Sequence, residues 1–597
     1  MRLLQILKQI YGGSFVAKIG KKILAAYHGS RIFSLNTAGE LDDALGSSVL
    51  LKPKEDKQRK ASLGIIVPIL HKFAYQLTHI SVGMSSLLLL VYALSTMCSF
   101  IFKHDYHNAF VFLLCCALLV PLCFIKTSVR NLFSSCFLGR FFNVNVQASS
   151  QKQNVFLMIL LHVFAVAGGF FLPFPYSVLT LLLPIAFLLI FYAKPLLFIG
   201  LIMVCLPIFG TSVCMVLSVL LILSHWLQRG LGTIQKQRLD YNDILLLVYV
   251  VLCLLFGVLS FAIADGFRIV IMWITLFSVI FIIYRNITSK NDLIAVFSCL
   301  FIGAVFACGA GIWQFLSGQV DTTWTDTELF QDLSIRVYGT FANPNVFGEF
   351  LILVIPFSVG LGIYLKKIKY KLACIFVSII CFVTLALTYS RGCYVGIAVT
   401  AVVFLWMYNK KILGLLLVFG APVGIAFLPE NILARIASMV NLSDSSTSYR
   451  LKIYKGTFNL LGKFWPSGVG IGEQSFNYVY PFYGVQEVVA QHSHSLFLQI
   501  LVSFGMAGFI YFLFMVFLYH RNLISFMNTM PKKDNNRMWL IMFASVFFGF
   551  LVQSIFDYTW YNYRIYMLFW IIFGLGLTTY KILKKERCCY DKGNALY

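Results

Sequence analysis

Apolar runs of helical length follow one another along most of this chain, separated by short polar connections. A membrane-crossing helix needs about 20 mostly apolar residues, so each run predicts one span. The single-span runs lie at 82–102, 108–125, 154–172, 176–193, 242–264, 266–284, 292–316, 347–365, 372–389, 393–408, 412–428, 496–519, 538–557 and 565–581. The run 195–226 is too long for one ordinary span and is broken by Pro207 and Gly210, which predicts two short helices packed as a hairpin. The pattern predicts an all-α polytopic membrane protein with about 14–16 transmembrane helices.

The basic residues give this arrangement a direction. If residues 1–80 lie inside, Lys and Arg gather in every second connection, as at 366–371 and 409–411, and again after the last span. Cytoplasmic connections carry such an excess of positive charge, so both termini are expected in the cytoplasm. Residues 1–80 are then a basic cytoplasmic tail with possible interfacial helices, and no cleavable signal peptide is expected.

Composition agrees with a lipid environment. Of 597 residues, 59% are hydrophobic and only 12% are charged, and the mean hydropathy of +0.84 excludes a single water-soluble core. The formal net charge of +24 could suggest binding to nucleic acid. The excess basic residues lie mostly in the short connections, however, and therefore indicate which connections are cytoplasmic. Most of the 15 cysteines lie inside apolar runs without metal-ligand spacing, which is typical of small membrane hydrophobes.

Two predicted outward connections are long enough to carry a site. The first, 317–346, is acidic and ends in Arg336 followed by the turn Asn343-Pro344-Asn345. The second, 429–495, is basic, becomes rich in aromatic residues, and ends in Gln491-His492-Ser493-His494. This large extracytoplasmic loop is the longest polar interruption of the chain.

Three arginines are candidates for binding an anion. Arg336 lies just before a predicted span, Arg391 lies in the tight turn Thr388-Tyr389-Ser390-Arg391-Gly392, and Arg450 follows Tyr449 at a predicted helix start. A guanidinium can grip a phosphate with two parallel hydrogen bonds and keeps its charge at any working pH. Each arginine also has an interpretation without a bound substrate. Arg336 could reach up to lipid headgroups, Arg391 could pair with an acidic side chain, and Arg450 could belong to a solvated basic helix face.

The remaining motifs are a glycine-rich turn and a histidine pair. No predicted strand precedes Gly468-Val469-Gly470-Ile471-Gly472 and no Lys-Ser/Thr follows it, so we interpret it as a flexible turn that packs the loop onto the membrane domain. His492 and His494 could be half of a metal site, but no cysteine or carboxylate lies at a suitable spacing. A histidine also suits the removal of a proton from a hydroxyl near neutral pH.

In this order and spacing the motifs resemble those of the O-antigen ligase and O-antigen polymerase superfamily, bacterial membrane glycosyltransferases of the GT-C type. The resemblance covers about 195–581 and rests on five stretches. They are Arg336 with Gly339-Thr340-Phe341-Ala342-Asn343-Pro344-Asn345, then Ser390-Arg391-Gly392, Tyr449-Arg450, Gly468-Val469-Gly470, and His492-Ser493-His494-Ser495 through Gly505-Met506-Ala507-Gly508. Residues 195–597 are accordingly expected to form the ligase-like membrane domain, and 81–194 an N-terminal transmembrane extension.

The resemblance implies a chemistry. The donor would be a glycan on undecaprenyl diphosphate, transferred to an acceptor hydroxyl on a glycan or glycolipid at the outer face of the bacterial cytoplasmic membrane, without a metal or other cofactor. Arg336, Arg391 and Arg450 would bind the diphosphate, supported by Asn343, Asn345 and Tyr389. His494 would be the general base, with His492 beside it as the second candidate. The family usually has His-Asn where this chain has His494-Ser495.

Two rival functions share the same motifs or the same membrane setting. A polymerase of lipid-linked repeat units has the same leaving group and differs only in the acceptor. A lipid-linked glycan flippase belongs to another class, in which paired repeats and helices broken at the bilayer midplane are common. No internal repeat is visible and the marked polar residues gather at one predicted surface, which favours an enzyme.

Overall fold

The helical arrangement follows from a computed structural model of the chain. It describes residues 82–125, 155–172, 190, 194–230, 239–318, 336–426, 430, 432–433, 445–485 and 488–594. The predicted basic tail, the predicted span at 176–193 apart from one residue, and most of the acidic connection 317–346 lie outside these ranges.

The described part of the chain is α-helical, as the apolar pattern predicts. Its first eight helices are α1 Val82–Phe102, α2 Tyr106–Leu119, α3 Val155–Phe171, α4 Pro195–Cys205, α5 Thr211–Gly230, α6 Tyr241–Val258, α7 Ile263–Asn286 and α8 Lys290–Ser317. The next five are α9 Pro344–Tyr364, α10 Ile368–Leu387, α11 Arg391–Tyr408, α12 Lys410–Leu415 and α13 Ala421–Ala426. The last five are α14 Ser445–Phe464, α15 Glu473–Val479, α16 Leu496–Thr529, α17 Arg537–Phe556 and α18 Tyr563–Asn594.

Eleven helices in the described ranges are long and apolar enough to cross a membrane. Three shorter apolar helices lie over 108–124, 159–171 and 195–205. The run 195–226 is divided at 206–210 into α4 and α5, as Pro207 and Gly210 predicted. The predicted span 412–428 differs, because a π-helical turn at Leu416–Gly420 interrupts it between α12 and α13.

Helices α9, α17 and α18 form the centre of the bundle. Their side chains are buried nearly all round, as expected of helices enclosed by other helices rather than by lipid. Helix α17 packs along α11, and α9 packs against both α10 and α17. The helices that carry the arginine and histidine motifs are therefore fixed against one core.

The predicted outward loop 429–495 contains a 20-residue helix, α14, which starts four residues before Tyr449. The glycine-rich turn that follows packs on the membrane domain, as predicted. The amide of Val469 donates to the carbonyl of Val502 over 2.7 Å, and the amide of Ile471 donates to Oγ of Ser260 over 2.9 Å. A Cβ at Gly470 would lie 2.2 Å from Cα of Ser260, so only glycine permits this approach.

Helix α16 bends to receive the same turn. At Gly505 the backbone leaves helical geometry with φ of 60°, and a Cβ there would lie 2.2 Å from the carbonyl oxygen of Pro466. The amide of Met506 donates instead to the carbonyl of Trp465 over 2.9 Å. The kink and the glycine turn together hold the C-terminal end of α14 beside the N-terminal part of α16.

The bundle has two chemically different ends. At one end the helix termini near Arg391, His494 and Asp557 converge. At the other end the connections are basic, and Nζ of Lys290 pairs with the carboxylate of Glu586 at 2.9 Å. This separation of the candidate site from the basic connections matches the charge pattern of the sequence.

Candidate active site

One small cavity gathers most of the predicted anion-binding residues. Its volume is about 40 Å³. It is lined by Arg336, Asn345, Ser390, Arg391, Gly392, Arg450, Gln553 and Asp557. These residues come from four separate parts of the sequence and meet because α9, α11, α14 and α17 all present a terminus or an early turn at the same end of the bundle.

Arg336 holds two connections together at this cavity. Its Nε donates to the carbonyl of Thr388 over 3.0 Å, and its Nη2 donates to Oδ1 of Asn345 over 3.1 Å. Asn343 caps α9 by accepting a 2.8 Å bond from the backbone amide of Asn345, the residue whose side chain accepts from Arg336. Arg336 therefore organises the rim of the cavity as well as supplying charge.

Arg391 is the first residue of α11, so its guanidinium and the positive end of the helix dipole act at the same place. The next residue, Gly392, permits close packing beneath it. A Cβ at Gly392 would lie 2.1 Å from Oε1 of Gln553, a cavity-lining residue of α17. This end of α11 is thus suited to an anion held against the α11–α17 interface.

Asp557 joins the cavity to the histidine pair. It follows the last residue of α17. Its Oδ1 lies 3.8 Å from Nδ1 of His494, and its Oδ2 lies 3.6 Å from Nη2 of Arg450. The amide of Leu496 donates to the carbonyl of Asp557 over 3.1 Å, which ties the end of α17 to the start of α16.

The charge state of Asp557 follows from these neighbours. Burial alone would raise the pKa of this carboxyl, but the facing His494 and the charge of Arg450 outweigh burial and lower the pKa to about 2. Asp557 is therefore an anion throughout the neutral range. An anionic carboxylate facing Nδ1 of an imidazole favours a proton on that nitrogen and leaves Nε2 as the basic one.

His492 lies behind His494 and stays neutral. Its ring centre is 4.3 Å from that of His494 and 4.9 Å from that of Tyr561. Burial and the neighbouring His494 lower the pKa of His492 to about 3. Its Nδ1 accepts a 3.2 Å bond from the amide of His494, so the proton of this neutral ring is on Nε2.

The backbone around the site is strained. Four non-glycine residues in the described ranges have positive φ, and three of them are Ala342, Tyr389 and His494, in the three connections that meet here. The φ of His494 is 50°, and Oη of Tyr454 donates to its carbonyl over 3.0 Å. Such conformations cost about 1–3 kcal/mol each and persist where surrounding structure holds them, commonly at functional sites.

The predicted site residues take different positions. Arg336, Arg391, Arg450 and Asn345 line the cavity, and His494 adjoins it through Asp557. His492 supports His494 from behind. Asn343 caps α9. Tyr389 is almost fully buried in the turn before Arg391, and burial raises the pKa of its phenol.

Three acidic or amide side chains near the cavity are not predicted by the sequence patterns. Asp557 and Gln553 line the cavity, and beneath them Glu349 of α9 is fully buried, with its Oε1 3.4 Å from Nε2 of Gln553. A signal for Asp557 was present, because it is the only acidic residue between Asp534 and Glu586 and lies at the end of a predicted span. Acids at or within spans are expensive and are commonly functional.

Part of the chain matches a known protein family. Residues 376–513 match the family model of the O-antigen ligase. The match supports assignment to the O-antigen ligase and polymerase superfamily. The matched segment contains Arg391, Arg450, His492 and His494, whereas Arg336 and Asp557 lie on either side of it. A search of curated proteins finds no match.

The eleven candidate spans and the family match together indicate a multi-pass bacterial membrane protein. In general terms, the match supports a membrane glycosyltransferase activity like that of the O-antigen ligases. The family match also implies, in general terms, that the protein interacts with a lipid-linked glycan and with the lipid bilayer. Across the described residues, no group of three or more His, Cys, Asp or Glu side chains is placed to hold a metal ion.

Proposed function

We propose that this protein transfers a glycan from undecaprenyl diphosphate to an acceptor hydroxyl at the outer face of the cytoplasmic membrane. The observation that supports the proposal most strongly is the convergence of Arg336, Arg391 and Arg450 on one cavity whose wall includes Asp557, the residue that faces His494. Transfer of this kind needs an anion site for the leaving group and a base for the acceptor, side by side.

The leaving group carries the larger electrostatic demand. When the bond between the anomeric carbon and the phosphate oxygen breaks, negative charge develops on the diphosphate. Arg391, at the start of α11, and Arg450, on α14, would stabilise that charge through paired hydrogen bonds. Arg336 would contribute charge while holding the α10–α11 turn.

His494 would act on the acceptor. Its Nε2 would take the proton of the acceptor hydroxyl as the oxygen bonds to the anomeric carbon, and the diphosphate would leave with the bonding electron pair. Asp557 would hold the imidazole in the required tautomer and stabilise the imidazolium that forms. The side chain of His494 is 25% exposed, which leaves the ring open to an acceptor.

The cavity is small compared with a diphosphate. Its volume of about 40 Å³ is close to that of a single water molecule. Arg450 lies on α14, outside the central core, and is paired with Asp557 at 3.6 Å. Movement of this long side chain toward the entering diphosphate would open the cavity and release one oxygen of Asp557.

A reconstituted assay tests the proposal. Full-length protein in proteoliposomes would receive purified undecaprenyl-diphosphate-linked glycan, with and without a separate acceptor, in excess EDTA. We expect glycan on the acceptor and free undecaprenyl diphosphate, with no loss of rate from the chelator. Longer lipid-linked chains in the absence of acceptor would identify a repeat-unit polymerase instead. Movement of intact donor across the bilayer without any transfer would contradict the proposal and identify a flippase.

A further inference from the structure

A second, larger cavity lies at the opposite end of the helices that carry the site. Its volume is about 1080 Å³. It is formed where α11 and α16 end and α17 begins. The same three helices carry Arg391, His494 and Asp557 at or next to their other ends, and the 20 residues of α17 separate the two places by about 30 Å. That distance is the thickness of the hydrocarbon core, so the two sites face opposite leaflets.

The mouth of this cleft is strongly basic. Five cationic residues line it against a single acidic one, Asp534. The cationic residues are Lys410, Lys411, Lys532, Lys533 and Arg537. The Asp534 carboxylate already accepts a 2.8 Å bond from the amide of Asn536, and Arg537 donates to the carbonyls of Met527 and Met530.

The four lysines are exposed and available to a ligand. Within the described ranges, no carboxylate lies within ion-pair distance of any of them. The Nζ of Lys410 lies 4.3 Å from the ring centre of Trp406, which places the charge at the boundary between the basic mouth and the apolar wall. An anionic group bound here would meet several lysines at once.

The wall of the cleft is apolar and runs along the helices. Trp406, Val403 and Phe548 line it, and the exposed fractions of Trp406 and Phe548 are 45% and 38%. Phe548 lies about three helical turns along α17 from Arg537, which is roughly 16 Å into the membrane. A water-soluble anion would use the mouth and leave this wall uncovered, whereas a lipid would cover both.

We infer that this cleft binds an anionic phospholipid, with the phosphate headgroup among the lysines and an acyl chain along the wall of Trp406 and Phe548. Basic pockets between transmembrane helices are suited to such headgroups, since each lysine near the surface contributes attraction to an anionic lipid. On the orientation that the charge pattern predicts, the lipid belongs to the cytoplasmic leaflet. The binding site does not depend on the proposed transferase activity.

Native mass spectrometry of the full-length protein in detergent tests this inference. The protein would be titrated with phosphatidylglycerol, with phosphatidylcholine and with inorganic phosphate. We expect phosphatidylglycerol to bind in preference to the other two. The double variant Lys410→Gln/Lys532→Gln should weaken its binding at least about tenfold. The matched control Lys366→Gln/Lys369→Gln, two exposed lysines at the same end but outside the cleft, should bind like the wild type.

Fluorescence quenching supplies a measurement that needs no change of charge. Phosphatidylglycerol with brominated acyl chains should quench tryptophan more than brominated phosphatidylcholine does. The difference should disappear in Trp406→Phe and persist in Trp226→Phe, a control at an exposed tryptophan of α5. The inference would be overturned if phosphatidylcholine or inorganic phosphate bound as well as phosphatidylglycerol. It would also be overturned if the two lysine variants lost binding equally, or if the quenching difference were unchanged in Trp406→Phe.

Discussion

Oδ1 of Asp557 lies 3.8 Å from Nδ1 of His494, although 62 residues and two long helices separate them in the chain. This pairing is made by the bond between the amide of Leu496 and the carbonyl of Asp557, which joins the two helix ends. It gives His494 two features that suit the proposed base, a partly buried anion behind the ring and an exposed edge in front.

Replacing Asp557 with Asn should slow glycan transfer roughly tenfold to hundredfold, because the imidazole loses its anionic partner and its fixed tautomer. The measurement is the initial transfer rate at saturating donor, with the KM for donor determined in parallel. Glu586→Gln, which changes an exposed carboxylate at the opposite end of the bundle, is the matched control. A full transfer rate in Asp557→Asn would remove Asp557 from the site.

Arg391→Lys keeps the charge at the start of α11 but loses the planar pair of donors. We expect catalytic efficiency to fall about tenfold to hundredfold, since one charge-assisted hydrogen bond is worth about 1.5–3 kcal/mol. The comparison is kcat/KM for the lipid-linked donor. Arg268→Lys, at an arginine whose side chain is 73% exposed, should leave the value unchanged. Equal effects of the two substitutions would argue against diphosphate binding by Arg391.

His492 makes the site sensitive to acid. Its pKa is lowered to about 3 in the folded protein, against an unfolded value near 6.5, so the unfolded form binds more protons between these values. Stability is therefore present above about pH 6.5 and is lost as the pH falls, by about 2 kcal/mol at pH 5. His492→Asn retains an acceptor for the amide of His494 and should flatten this dependence.

Scanning fluorimetry between pH 7.5 and pH 5 measures that difference. The unfolding temperature of the wild type should fall more steeply with acid than that of His492→Asn. His104→Asn, at an exposed histidine in the turn between α1 and α2, should follow the wild type. Parallel curves for the wild type and His492→Asn would show that His492 is not held neutral.

The packing of the glycine turn predicts a position-specific effect. Gly470→Ala would place a Cβ 2.2 Å from Cα of Ser260 at a φ of 92°, so we expect a loss of stability of about 1–3 kcal/mol and detachment of α14 from the bundle. Gly462→Ala, in α14 with open space around the added carbon, should be neutral or stabilising. Thermal unfolding and limited proteolysis of the connection after α14 would distinguish them.

The sequence predicted the fold better than it predicted the site. Long apolar runs follow from the cost of polar groups in lipid, and alternating basic connections follow from the separate preference of Lys and Arg for the cytoplasmic side, so the spans follow from local pattern. The interrupted run 412–428 was harder, because hydropathy alone does not show a π-helical turn. The sequence predicts the helix inside the outward loop only from a start at Tyr449, four residues after its observed first residue, Ser445.

The site was predictable only where a residue was unusual for its place. Arg391 and the histidine pair are conspicuous beside apolar runs, and family resemblance gave them roles. Asp557 needed a partner 63 residues away, and that partnership depends on how the start of α16 meets the end of α17 rather than on local sequence. The contact between Arg336 and the carbonyl of Thr388 likewise joins two connections that no local pattern relates.

The most direct test of the account is the transfer rate of His494→Ala with donor binding measured on the same preparation. Loss of a general base should reduce the rate by about 10²–10⁴-fold. Affinity for undecaprenyl-diphosphate-linked glycan should stay within a few fold of the wild type, because the arginines that bind the diphosphate remain. A transfer rate in His494→Ala equal to that of the wild type would contradict the assignment of His494 as the base, and with it the proposed chemistry of the site.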